Sequence, residues 1–179
     1  CSLLPPTLFS ILYRCMQKIT IVGFGRFGRV LHELLKDDFD VTIFRRRSSR
    51  SRRQKFSPKV KITHDLAEAY RSDTIFFAVP ISQFEKVLQQ HLPYWKNHLL
   101  IDVLSVKMHP ARMFKKYLKG TESRALLTHP LFGPDSIKEN SQKLPVVMDR
   151  FTAKTSEYEF WKKYFWGKGF SIIEMSAQK

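Results

Sequence analysis

Apolar residues in this chain fall into short unbroken runs separated by stretches with helical spacing. Ile19-Thr20-Ile21-Val22 is β-branched, carries no alternating polar face, and stops at Gly23, which predicts a strand buried on both sides. Over 26–36, Phe27, Val30, Leu31, Leu34 and Leu35 recur as one helical face. The same alternation continues down the chain. Strands are predicted at 40–44, 60–62, 74–79, 99–104, 125–128, 146–148 and 170–174. Helices are predicted at 65–70 (capped by Asp65), 82–92 (closed by Pro93), 110–118 and 156–166. Apolar strands separated by helices imply a mainly parallel sheet covered on both faces, an α/β architecture with right-handed crossovers.

Composition narrows the classes. The chain has 179 residues, 43% of them hydrophobic, enough for one cored domain and too apolar for general disorder. Cys1 and Cys15 cannot build a disulfide framework, and no cysteine–histidine spacing predicts a metal. No apolar run reaches the roughly 18 residues that a membrane-spanning helix needs. Residues 1–15 (CSLLPPTLFSILYRC) are apolar, contain Pro5-Pro6 and lack a basic start. They read as an N-terminal extension ahead of a domain over 16–179, with Met16 as a candidate natural start or, alternatively, as an arm packed on that domain. A net charge of +15 favours a polyanion or an anionic cofactor without choosing between them.

The motif that chooses is Gly23-Phe24-Gly25-Arg26-Phe27-Gly28, a G-x-G-x-x-G between a strand and a helix start. The first glycine makes the turn, the second lets backbone N–H groups reach a pyrophosphate, and the third lets helix and strand pack closely. With that placement the sheet reads as a doubly wound Rossmann-type fold. NAD sites put an acid at the end of the second strand, about 20 residues on, to hold the ribose hydroxyls. Here Arg45, Arg46, Arg47 and Ser48 stand there instead. A carboxylate would repel a 2′-phosphate, whereas guanidinium groups and hydroxyls bind one, so the expected cofactor is NADP.

Other strand ends carry chemistry: Ala78-Val79-Pro80-Ile81-Ser82, Asp102-Val103-Leu104-Ser105-Val106-Lys107, and His129-Pro130-Leu131-Phe132-Gly133-Pro134-Asp135-Ser136. Ligands of open parallel sheets bind beyond the carboxyl ends of the strands. A hydroxyl, an ammonium and an imidazole beside a nicotinamide suit dehydrogenation of an alcohol. His32, His64, His91, His98 and His109 have no partner legible in the sequence and are expected at the surface or at helix ends.

These motifs, GFGRFG, AVPIS, DVLSVK and HPLFGPDS in this order, resemble those of the prephenate/arogenate dehydrogenase family of tyrosine biosynthesis, the plant-type arogenate dehydrogenases above all, from about Lys18 to Ser176. The resemblance implies that His129 takes the proton from the ring hydroxyl of the substrate and that Ser105 hydrogen-bonds that hydroxyl. It further implies hydride transfer to the cofactor with loss of the ring carboxylate as carbon dioxide. Ser82, Lys107 and Asp135 lie in matching motifs as shapers of the substrate site, and Val79 and Pro80 flank the cofactor.

The family continues into an all-helical domain that makes a homodimer and supplies part of the substrate pocket. The sequence given stops at Glu174–Lys179, where that domain would begin. Weak or no turnover is therefore expected of this chain alone. Alternatives are another Rossmann oxidoreductase, such as an imine or β-hydroxy-acid reductase, a basic nucleic-acid-binding module, and a non-catalytic remnant. The HPLFGP segment speaks against the other reductases. The placement of aromatics at core positions, with no RNA-binding signature, speaks against nucleic acid. The cytoplasm is the default location. The plant-type resemblance points to a plastid, although the first 15 residues lack a transit peptide's composition.

Overall fold

The computed structural model describes residues 17–47, 60–106, 108–133 and 144–176. Ser48, Lys107, Asp135 and the 1–15 segment lie outside the described residues. Eight strands form one sheet: β1 (Lys18–Val22), β2 (Asp40–Phe44), β3 (Lys61–Thr63), β4 (Thr74–Phe77), β5 (Leu99–Asp102), β6 (Arg124–Pro130), β7 (Pro145–Asp149) and β8 (Ser171–Glu174). Among the described residues five α-helices accompany them: α1 (Arg26–Leu35), α2 (Leu66–Ala69), α3 (Ile81–His91), α4 (Met108–Tyr117) and α5 (Thr155–Gly167). A short 3-10 turn, Leu92–Tyr94, follows α3 and contains Pro93.

The strand order is β3-β2-β1-β4-β5-β6-β7-β8. Every neighbouring pair is parallel except β6 and β7, which run antiparallel with His129 opposite Val147. No helical pattern separates these two strands in the sequence, whereas parallel neighbours need a long crossover. The direction of winding reverses at β1, whose neighbours are β2 and β4. Side chains along the strands alternate between two cores, as the pleat requires. Ile19, Ile21, Phe76 and Ile101 pack with Leu31 and Leu35 of α1 and with Trp161 and Phe165 of α5. Val22, Ile75, Phe77 and Leu100 pack with Ala69 of α2, Phe84 and Val87 of α3, and Phe114 of α4. The sheet is thus covered on both faces, as its apolar strands demand.

Thr20 is the polar exception inside β1: its hydroxyl donates to the Ala69 carbonyl (2.7 Å) and lies 2.9 Å from Ser72 Oγ, so the buried oxygen is satisfied. Asp65 caps α2 as expected, its side chain accepting from the Ala67 N–H at 2.9 Å. Tyr164 ties α5 to α1, donating toward the Leu34 carbonyl (2.9 Å) and standing 2.9 Å from Asp38 Oδ2.

Candidate nucleotide crevice and the ends of strands five and six

The turn after β1 is held from both sides. Gly23 N–H donates to the Phe44 carbonyl of β2 (3.1 Å), and Ala78 N–H, just after β4, donates to the Val22 carbonyl (2.9 Å). Gly23 has φ of +100°, and a Cβ there would sit 2.5 Å from the Ala78 carbonyl oxygen. At Gly28 a Cβ would lie 2.3 Å from the Gly23 carbonyl oxygen. Both glycines are therefore demanded by the fold itself.

Gly25 is different. It precedes the first turn of α1 with φ of −73°, and a Cβ built on it meets nothing within 4 Å. Among the described residues nothing crowds this position. It opens directly before a helix N-terminus, where unpaired N–H groups and the helix dipole favour an anion.

This turn opens on a crevice of about 580 Å³ lined by Gly23, Phe24 and Gly25 at one end, by Phe44, Arg45, Arg46 and Arg47 after β2, and by Ala78, Val79, Pro80, Gln83, Val87 and His91. It lies where the winding reverses, the place at which open α/β sheets bind ligands. The arginine segment is fixed by its backbone: Arg45 N–H donates to the Thr63 carbonyl (3.0 Å), and the His64 ring lies 2.5 Å from the Arg45 carbonyl through Nδ1. Among the described residues no carboxylate lines the crevice. Open space at Gly25, a helix N-terminus and a cationic flank fit an anionic nucleotide.

Most of the residues expected at the cofactor thus meet in one place: Gly23, Phe24, Gly25, Arg45, Arg46, Val79 and Pro80. Arg26, Phe27 and Gly28 do not line it. Gly28 is buried under the turn, and Phe27 packs toward Phe132 with ring centres 6.1 Å apart. Ser82 is exposed on α3 and is not part of the lining.

His91 ends α3, one of the two placements expected of it, but it is not at the surface: it is 2% exposed and lines the crevice. His32 and His98 are also buried, each 6% exposed. His32 pairs with its neighbour Glu33, whereas His91 and His98 find partners far away in sequence. His98 Nε2 lies 3.1 Å from the Tyr70 carbonyl, and Tyr70 Oη lies 2.9 Å from His91 Nδ1. Burial pushes the His91 pKa down to about 4, so the ring is neutral at physiological pH. A signal was present in the sequence, since Gln83, Val87 and His91 recur at four-residue intervals and so share one face of α3.

The second group of expected residues follows β5 and β6. Ser105 is exposed three residues past the end of β5, and His129 is half-buried near the carboxyl end of β6. The residue that organises this end was not singled out from the sequence. Asp102, fully buried, accepts from the Leu104 N–H (3.2 Å) with one carboxylate oxygen and from the Thr128 N–H (3.3 Å) with the other. The Thr128 hydroxyl donates back to the Asp102 carbonyl at 2.6 Å. This carboxylate therefore stitches together the two strand ends that lead into Ser105 and His129. Among the described residues no cluster of histidine, cysteine and acidic side chains could hold a metal ion, and no helix is long and apolar enough to cross a membrane.

Residues 18–106 match the family described as NADP oxidoreductase, coenzyme F420-dependent. Over 172 residues the chain is 31% identical to arogenate dehydrogenase 2 of Arabidopsis thaliana, a chloroplastic protein, covering 90% of this chain and 47% of that one. The chain is a relative of the arogenate dehydrogenases. The sequence resemblance to that family thus holds over nearly the whole length. The chain spans about half the length of the Arabidopsis relative. The solved structure of Synechocystis arogenate dehydrogenase shares the fold, with a TM-score of 0.69 at 21% identity over 90% of this chain and 60% of that one. An imine reductase from Myxococcus stipitatus, solved in complex with NADP+, shares it as well, with a TM-score of 0.68 at 16% identity over 89% and 55% of the two chains. The doubly wound fold is therefore common to several oxidoreductases, while the sequence kinship is to the arogenate dehydrogenases.

Proposed function

We propose that this chain is the NADP-binding half of an arogenate or prephenate dehydrogenase that oxidatively decarboxylates its substrate. The observation that carries the cofactor reading is Gly25. The fold needs glycine at positions 23 and 28 but leaves the space at 25 open, between a helix N-terminus and an arginine-lined wall. The turn N–H groups would hold the pyrophosphate, and Arg45, Arg46 and Ser48 the 2′-phosphate. When bound, the cofactor supplies a nicotinamide carbon that accepts a hydride. Arginines gathered along a concave wall, with glycines at its head, support a nucleotide rather than an extended nucleic acid.

On the substrate side, His129 acts as general base for the ring hydroxyl and Ser105 hydrogen-bonds that hydroxyl. Lys107, Asp135 and Ser82 shape the substrate site. Asp102 and Thr128 hold the backbone on which the first two ride. The cofactor contacts are local to this chain, whereas positioning of a small substrate needs more of the pocket than two strand ends provide. Turnover, and the homodimer found in the family, are accordingly properties of a longer protein. The chloroplastic Arabidopsis relative supports a plastid location over a cytoplasmic one.

The test is a fluorescence titration with NADPH and NADH on the wild type and on the Arg45→Asp, Arg46→Asp double variant. The wild type is expected to prefer NADPH, and the variant to lose about ten- to a hundredfold in NADPH affinity with little change for NADH. A wild type that prefers NADH overturns the NADP assignment, and one that binds neither overturns the cofactor reading.

A further inference from the structure

The floor of the crevice rests on a hydrogen-bond relay of three buried side chains. Trp95 Nε1 lies 3.0 Å from Tyr70 Oη, which lies 2.9 Å from His91 Nδ1. An indole nitrogen can only donate. Tyr70 Oη therefore accepts from Trp95, and its own proton points to His91 Nδ1. The opposite polarity would leave a buried phenolic proton with no acceptor. Tyr70 and Trp95 are 9% and 6% exposed, so water does not compete for these bonds.

With Nδ1 accepting, the neutral imidazole carries its proton on Nε2. That nitrogen has no hydrogen-bond partner among the described residues, although the ring is almost wholly buried and lines the crevice. The ring is held edge-on against Phe44, centres 5.1 Å apart at 89°, and leans on Phe77 at 6.0 Å. The relay thus presents one oriented N–H donor at the end of the crevice farthest along α3 from Pro80.

The kind of acceptor follows from the surroundings. His91 is the last residue of α3, where the helix dipole is negative, and an anion is disfavoured there. The ring is uncharged. Phe44 packs against it, and Val87 lies one helical turn back along α3 in the same lining. A neutral donor in an apolar slot fits a lone pair on a neutral heteroaromatic ring and not a phosphate. We propose that His91, held in one tautomer by Tyr70 and Trp95, donates its Nε2–H to a ring nitrogen of the cofactor's adenine. This rests on the dinucleotide reading above and adds to it the residue that reads the purine.

The experiment is titration calorimetry of the whole chain with NADPH, with adenosine 2′,5′-bisphosphate, and with the 1-, 3- and 7-deaza forms of the latter, in which one ring nitrogen becomes C–H. One deaza form is expected to bind the wild type about tenfold more weakly than its parent, and that gap is expected to close in His91→Phe. Nitrogen-15 NMR of the wild type gives a second readout that needs no variant. It should show His91 protonated on Nε2, with that proton's signal shifting on addition of the parent bisphosphate. Three deaza forms that bind like the parent, or a ring protonated on Nδ1, overturn the proposal while leaving the dinucleotide reading in place. A wild type that binds neither NADPH nor the bisphosphate overturns both.

Discussion

The crevice beside β1 and the ends of β5 and β6 solve different problems. The crevice is made by the backbone: two glycines with no room for a side chain, a helix N-terminus, and strand-to-turn hydrogen bonds near 3 Å. Its lining comes from the ends of β1, β2 and β4 and from α3 as far as His91. The β5–β6 end is made by side chains. One buried carboxylate holds it, and its two reactive candidates, Ser105 and His129, arrive from separate strands. Binding a phosphate needs only local geometry. Removing a proton from a small substrate needs groups from several elements held to within fractions of an ångström. The first task therefore needs only a short motif, and the second needs more of a pocket than two strand ends provide. The Arabidopsis relative is about twice as long as the stretch it shares with this chain.

The largest expected effect separates the two regions directly. In an enzyme completed by fusion to the C-terminal half of the Arabidopsis relative, His129→Asn should lower turnover of arogenate about 10²- to 10⁴-fold, the loss typical of a general base. NADPH affinity, measured by fluorescence, should not move. Loss of both together would mean that the regions are not separable.

Next come the glycines. Gly28→Ala would force a Cβ to within 2.3 Å of a backbone oxygen, and Gly23→Ala would add positive-φ strain. Each should destabilise the fold on the order of 3 kcal/mol in chemical denaturation. Gly25→Ala meets open space and a permitted φ, so it should alter stability by no more than about 0.5 kcal/mol. Its NADPH affinity should nevertheless fall by about tenfold or more. Equal destabilisation by all three would show that Gly25 serves the fold and not the ligand.

A pH titration probes the crevice floor. Burial lowers the His91 pKa from 6.5 to about 4, so the unfolded chain binds the proton more readily than the folded one between those values. The stability due to neutral His91 is intact above pH 6.5 and is lost as pH falls toward 4, about 3 kcal/mol in all. Burial lowers the His98 pKa too, and adds in the same direction. In His91→Phe the slope of unfolding free energy over this window should flatten, with the His98 part remaining.

What could be read from the sequence divides along the same line. β2 was expected at 40–44 and lies there, and α1 and α3 begin and end within about a turn of their predicted limits. Apolar periodicity and glycine spacing are local signals, and the crevice is built from local signals. The strands at 74–79 and 99–104 are shorter than read, because Ala78, Val79, Val103 and Leu104 are apolar for packing after the ladder has ended. The strand at 146–148 is legible and lies within β7, but its antiparallel direction is not, since a strand's own residues do not record it. Least visible were the relay and the stitch. Tyr70, His91 and Trp95 meet across a fold that periodicity does not describe, and Asp102 bonds to backbone N–H groups that leave no trace in residue type.

That stitch provides the sharpest small perturbation. Asp102→Asn preserves shape and replaces one acceptor oxygen with an NH₂ donor. Both oxygens now accept backbone N–H bonds, so either amide orientation sets a donor against a donor. The site is fully buried, and water cannot relieve the clash. A loss of about 2 kcal/mol in urea denaturation is expected. The strain falls between Leu104 and Thr128, one residue short of Ser105 and His129 respectively, and on the far side of β4 from the glycine turn. In the completed enzyme, turnover should therefore drop by more than the stability loss explains at temperatures where the fold is intact, while NADPH affinity stays within about twofold of wild type. If NADPH affinity fell as far as turnover, the two ends of the sheet would be one coupled site, and the contrast drawn between them would not hold.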